Sequence, residues 1–198
     1  FALADEKVHL VVQNGDSVRD CYFQKRFGED VGITMENAVF DHIRQCWNNC
    51  IFCFIAQMPQ GMRPSLYVKD DDYRMSFLTG SFITLSNLSE EDIRRITRFH
   101  LSPLHISVHT TNGELRRRMM RQERTDDIMD HLRILVQHDI DLYCQIVLVP
   151  GYNDGEEFSR TVRDLESLRP NVLGIAVVPL GMTKFRSGCM HLDPVTPE

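Results

Sequence analysis

Apolar and polar residues alternate through 8–13 (VHLVVQ) and 18–25 (VRDCYFQK), on either side of Asn14-Gly15. That pattern predicts a β-hairpin, followed by a boundary near Phe27-Gly28. From Ala38 onward, strand-like and helix-like segments take turns. Residues 81–86 (SFITLS) read as a strand, and Ser89 with Asp92 as the N-terminal cap of a helix facing the core through Ile93, Ile96 and Phe99. The run 104–109 (LHISVH) predicts a strand in which Ser107 and His109 face away from Leu104, Ile106 and Val108. Thr125, with Asp126 and Asp127 in the first turn, predicts a helix buried through Ile128, Leu132, Leu135 and Val136. Strand 142–149, a helix opened by Asn153-Asp154-Gly155 with Phe158, Val162, Leu165 and Leu168 on its apolar face, and strand 172–178 complete the pattern.

Strands alternating with helices imply βαβ units and a parallel sheet. Roughly five or six units are expected, too few for a closed barrel of eight. The predicted fold class is therefore α/β, an open, partial barrel of the TIM type behind a small hairpin. Active-site groups of such barrels lie at strand C-terminal ends. Those ends here carry Ser86-Asn87, His109 through Gly113, and Pro150 through Asn153, while Gln145 sits mid-strand and needs a hydrogen-bond partner.

Composition narrows the class. The 198 residues are 42% hydrophobic and 25% charged, enough for a packed core. A net charge of −6 argues against a general polyanion-binding surface, so nucleic acid is not an expected partner. No apolar run reaches the roughly 18 residues of a membrane span, and no signal-peptide pattern is present, so a cytoplasmic location is expected. The chain starts at Phe1 and stops at Glu198 without closing an element, which reads as a piece of a longer protein.

Six cysteines are present, and three of them, Cys46, Cys50 and Cys53, fall within eight residues. A disulfide framework would be spread more evenly. Three thiolates at this spacing can ligate three irons of a cubane 4Fe-4S cluster and leave the fourth iron open to a small molecule. Two alternatives stand beside that reading. A structural zinc site would need a fourth ligand, and an electron-transfer cluster would draw a fourth cysteine from Cys144 or Cys189.

The segment Cys46-Trp-Asn-Asn-Cys50-Ile-Phe-Cys53, set near the first barrel strand, resembles the cluster motif of the radical S-adenosylmethionine superfamily, Cys-x3-Cys-x-aromatic-Cys. The resemblance covers roughly residues 38–180. It implies a 4Fe-4S cluster on the three cysteines and S-adenosylmethionine as second cofactor. The implied reaction is reductive cleavage of that cofactor to a 5′-deoxyadenosyl radical, fed by a ferredoxin or flavodoxin and acting on an unknown substrate. Phe52 would pack near the adenine. Ser86 and Asn87 fall where the superfamily has its amine-holding loop, although its Gly-Gly-Glu is not there. Ser107 and Gln145 would contact the cofactor from their strands, and the turn of Val149, Gly151, Tyr152 and Asn153 would border the adenine. Longer runs (CWNNCIFCFIAQMPQGMRPSLYVKDDDYRMSFLTGSFITLSNL and GIAVVPLGMTKFR) resemble a bacterial family that joins a PDZ-like module, a radical core and domain of unknown function 512. On that resemblance, residues 1–27 end the PDZ-like module, 28–191 form the core and 192–198 begin the C-terminal domain.

Other polar groups are secondary candidates. On the family resemblance Arg63, Lys69 and Arg74 are candidates for contacting an anionic substrate, and His109 reads either as a satisfied strand histidine or as a residue lining the substrate pocket. Asp70-Asp71-Asp72 reads as an acidic helix start, with cation or substrate binding as the alternative. Arg116-Arg117-Arg118 with Arg121 reads as a solvated basic helix face, with RNA binding as the alternative. Cys189, near Lys184 and Arg186, is a candidate reactive thiol.

Overall fold

The computed structural model describes residues 6–34, 36, 39, 41–122 and 128–196. The chain forms two compact units, Phe1–His42 and Ile43–Glu198.

The first unit holds a hairpin of β1 (Lys7–Asn14) and β2 (Ser17–Gln24), paired antiparallel from Lys7↔Gln24 to Asn14↔Ser17. The two-residue turn is Gly15-Asp16, one position later than the Asn-Gly pair alone suggests; Gly15 takes the φ of +58° that such a turn needs. His9 and Tyr22 are directly opposite, with rings stacked at 4.3 Å, and His9 Nε2 meets Asp20 Oδ1 at 2.6 Å.

The second unit is a mixed α/β body around a three-stranded parallel sheet of order β3-β4-β5: Leu104–Ser107, Leu142–Leu148 and Val172–Pro179. Its helices are α1 (Tyr73–Thr79), α2 (Glu90–Arg98), α3 (Gly113–Met120), α4 (Ile128–Gln137) and α5 (Gly155–Glu166). The β–α alternation survives, but the described residues contain fewer strands than the five or six units anticipated. Residues 81–86 make only an isolated parallel bridge, Ile83↔Ile106, with Ile83 N–H donating to His105 O and Ser107 N–H to Ile83 O. Extension stops there because Leu85 turns to φ +61°. The strand expected over 104–109 ends at Ser107 for a similar reason: the Val108 and His109 amides both donate to the Gln145 carbonyl, and His109 sits at φ +65°.

One core gathers Ile83, Leu85, Ile96, Leu104, Ile106, Leu132, Leu135, Leu142, Cys144 and Ile146, so one sheet face is packed against the helices. Ser89 and Asp92 form a reciprocal capping box, as their spacing predicts. Phe99, expected on the apolar face of α2, is instead its C-terminal cap and 61% exposed. The expected Thr125 cap, with Asp126 and Asp127, lies outside the described residues. No helix among the described residues is long and apolar enough to cross a membrane.

Candidate functional site

The cysteine loop is pinned by its backbone before any side chain is considered. Cys46 N–H donates to Lys69 O at 2.7 Å, Asn49 N–H to Met120 O at 3.0 Å and Ile51 N–H to Met119 O at 2.9 Å. The loop thus supplies partners for carbonyls at the end of α3, which the helix itself leaves unpaired. Ile51 and Phe52 anchor it further in a small apolar cluster with Met119, Val149, Leu180 and Leu192. Beyond the last cysteine, buried Gln57 donates to Cys53 O and Gly181 O and accepts from Thr183 N–H, clamping the loop to the segment after β5.

So held, Cys46, Cys50 and Cys53 line one cavity of about 390 Å³ together with Asn48, Lys69, Phe82, Ser107 and Gln145. That volume lies within the range of roughly 300–1,000 Å³ typical of small-molecule sites. Ser107 and Gln145 are register partners in β3 and β4, so adjacent strands present the two polar side chains side by side.

Beneath the cavity lies a buried polar layer that local sequence patterns do not announce. Arg116, fully buried, donates to Val108 O, Thr84 O and Ser107 O at 2.8–3.0 Å. The solvated basic face expected of α3 is therefore corrected: its first arginine points inward, on the side that carries Met119 and Met120. Asp71 is likewise buried and accepts from both the Thr84 amide and the Thr84 hydroxyl. Asp72 fulfils the helix-start reading by capping α1. Burial pushes the Cys50 thiol up to about 12, reinforced by Cys46 and Cys53 and opposed by Arg116. Cys46 is raised first by burial and then by Asp71, against hydrogen bonds from Asn48 and the charge of Lys69. Burial lowers Arg116 to about 10, while Cys50, Asp71 and Cys46 hold it up. Metal binding would displace the thiol protons and set three thiolates above this arginine.

Three thiols line the one cavity, a donor set of the kind a cubane cluster takes, with one thiolate on each of three irons; a structural zinc site takes four ligands. The remaining cysteines are elsewhere: Cys144 is fully buried in the core, Cys21 is exposed on β2, and Cys189 Sγ lies 3.7 Å from Ala56 O.

Several sequence candidates stand off this cavity. Ser86 contacts it indirectly, accepting from Asn48 at 2.8 Å. Asn87 donates to Asp71 O, while its buried Oδ1 has no partner among the described residues. Phe52 packs edge-on to His109 at 4.6 Å. Burial pulls the His109 imidazole down to about 3, helped by Arg116, and its Nδ1 accepts from Val147 N–H, so it is neutral. Asn153 bonds Val149 N–H, His109 O and Val147 O and so locks the turn after β4. Tyr152 belongs to the apolar cluster behind the loop, and Gly151 is exposed. Arg74 is paired with Asp72, and Arg63 is exposed at the start of a 3₁₀ turn, Pro64–Tyr67.

The radical SAM-like domain family matches this chain over residues 25–175, where SAM denotes S-adenosylmethionine. No curated protein matches the chain.

Proposed function

The chain belongs to the radical SAM-like domain family, and from that premise we propose that it is a radical S-adenosylmethionine enzyme with a 4Fe-4S cluster on Cys46, Cys50 and Cys53. The observation that carries the reading is the shared cavity: three thiols line it, with Ser107 at the end of β3 and Gln145 in the middle of β4 beside them. When bound, the cluster would supply the electron that cleaves S-adenosylmethionine to a 5′-deoxyadenosyl radical, the cofactors carrying the difficult chemistry.

The protein's own part is to bind, orient and shield. The three thiolates would hold three irons and leave the fourth for the amine and carboxylate of the cofactor. Ser107 and Gln145 offer polar contacts from the sheet. The turn of residues 149–153, with Phe52, would border the adenine. Lys69 is the cation on the cavity wall and the best placed of the basic candidates to meet an anionic substrate; Arg74 is held by Asp72. A small reductant protein, ferredoxin or flavodoxin, would deliver electrons in a cytoplasmic setting. The open partial barrel, the PDZ-like assignment of residues 1–27, the core at 28–191 and the C-terminal domain beginning at 192 belong to the same proposal.

The test is anaerobic reconstitution with iron and sulfide, then dithionite and S-adenosylmethionine, with 5′-deoxyadenosine measured by chromatography. Slow, uncoupled product is expected without substrate. A verified cluster with a competent reductant and no product would replace this reading with that of an electron carrier. Zinc retained in place of iron would point to a peptide-binding scaffold.

A further inference from the structure

Asn48 lies between two of the cysteines and is 5% exposed. Its amide nitrogen is within reach of three acceptors: Ser86 Oγ at 2.8 Å, Thr84 Oγ1 at 3.2 Å and Cys46 Sγ at 3.3 Å. A primary amide has two protons, so these three compete. The neighbouring groups decide the outcome. Asp71, as a carboxylate, only accepts, and it takes the Thr84 hydroxyl proton at 2.7 Å. Thr84 Oγ1 is then left as an acceptor, and its two lone pairs go to the Ser86 hydroxyl, also 2.7 Å away, and to the Ser86 backbone N–H at 3.2 Å. Ser86 Oγ in turn takes one amide proton of Asn48. Donors therefore run in one direction, from Asn48 through Ser86 and Thr84 to Asp71, and the second amide proton is left for sulfur.

We infer that Asn48 is a positioning residue that donates an N–H···S hydrogen bond to Cys46 and so sets the reduction potential of the bound cluster. The inference rests on the cluster reading above. A donor aimed at a ligating sulfur stabilises the electron-rich reduced cluster more than the oxidised one, and hydrogen bonds to sulfur are among the known determinants of cluster potential. The buried setting keeps the bond strong. Lys69 Nζ, 3.4 Å from the Asn48 carbonyl, helps fix the residue in place. A merely structural anchor between loop 46–53 and residues 84–86 would change stability and leave the potential where it was.

The experiment is a redox titration of the reconstituted protein, followed by electron paramagnetic resonance, for wild type, Asn48→Ala and Asn48→Leu. The leucine keeps the approximate volume, adds no charge and lacks the donor. With iron and sulfide content equal to wild type, both variants should shift to lower potential, by roughly tenfold in the one-electron equilibrium, about 59 mV. An unchanged potential in a fully loaded variant overturns the inference and leaves the cluster reading intact. A wild-type protein that takes up no 4Fe-4S cluster sinks the cluster reading and this inference with it. Should the variants not load, wild-type protein with ¹⁵N in its asparagine amides, in an Asn49→Ser background, decides the matter. A nitrogen coupling to the reduced cluster is expected, and its absence overturns the inference.

Discussion

Arg116 donates to the carbonyl of Ser107 at 3.0 Å, from a helix that begins six residues after that serine. The same guanidinium also bonds the carbonyls of Thr84 and Val108. It thereby ties two chain segments together directly beneath the cysteine cavity. Replacing it with methionine would leave three buried carbonyls without this donor and Asp71 without its neighbouring cation. Losing one partner of a buried charge arrangement costs about 3–5 kcal/mol, and Arg116→Met should lower the urea midpoint accordingly, with the slope unchanged. Arg116→Lys should recover little, because an ammonium cannot reproduce the planar fork that spans three acceptors. A near-neutral Arg116→Met would show that the layer is dispensable.

Cysteine replacements should separate cleanly by position. Cys46→Ala, Cys50→Ala and Cys53→Ala should each abolish the brown, air-sensitive chromophore after reconstitution, since on the proposed reading each would remove the ligand of a different iron. Cys21→Ala and Cys144→Ala should retain it: one side chain is exposed on the hairpin and the other is a core hydrophobe. Iron and sulfide analysis beside the visible spectrum reads the result. Loss of cluster in Cys144→Ala, with the fold intact by circular dichroism, would argue for a fourth protein ligand.

Acid should destabilise the protein through two carboxylates. Burial pushes Asp92 and Asp72 upward, but hydrogen bonds outweigh it. Those from Arg44 and Ser89 hold Asp92, and those from Arg74 and Arg44 hold Asp72, below the ordinary carboxylate range. A carboxylate lower in the folded state contributes stability above its unfolded value, about 3.9, and loses it as the pH falls through the folded value. Asp71 runs the other way: burial raises it despite Thr84 and Arg116, so its ionised form opposes folding and acid relieves that cost. Urea midpoints between pH 7 and 3 should therefore fall less steeply for Asp92→Asn than for wild type, and more steeply for Asp71→Asn. Parallel curves for all three would refute the assignment.

The elements that follow local rules were legible in the sequence. The hairpin alternation, the Ser89–Asp92 capping box, the β–α alternation and the compact cysteine spacing each depend on residues within one or two turns of chain. What escaped the sequence depends on distant partners. Arg116 sits in a run of three arginines that looks solvated, and only its three carbonyl acceptors, up to 32 residues away, explain its burial. Asp71 looks like its neighbours Asp70 and Asp72 until Thr84 is placed against it. Strands 81–86 and 104–109 were overextended because left-handed turns at Leu85 and His109 carry no glycine to announce them. The basic candidates separate only in three dimensions, where Lys69 lines the cavity and Arg74 is paired with Asp72.

Ser107 offers the most direct test of how the cavity would hold its second cofactor. Its backbone is fixed from both sides: the amide donates to Ile83 O at 2.7 Å and the carbonyl accepts from Arg116. The residue is 8% exposed and lines the cavity. Ser107→Ala should accordingly leave fold and cluster content unchanged. What it would remove, on the proposed reading, is one neutral hydrogen bond to S-adenosylmethionine, worth about 0.5–1.5 kcal/mol, or a several-fold loss of affinity. Equilibrium dialysis with labelled cofactor on the reconstituted protein measures that loss, with iron content and urea midpoint as controls. Gln145→Ala, from the neighbouring strand, should weaken binding in the same range, and because both side chains would touch one ligand the double variant need not show the sum. Unchanged affinity in both single variants would move the cofactor away from β3 and β4, and loss of the cluster in Ser107→Ala would make the serine part of the metal site instead.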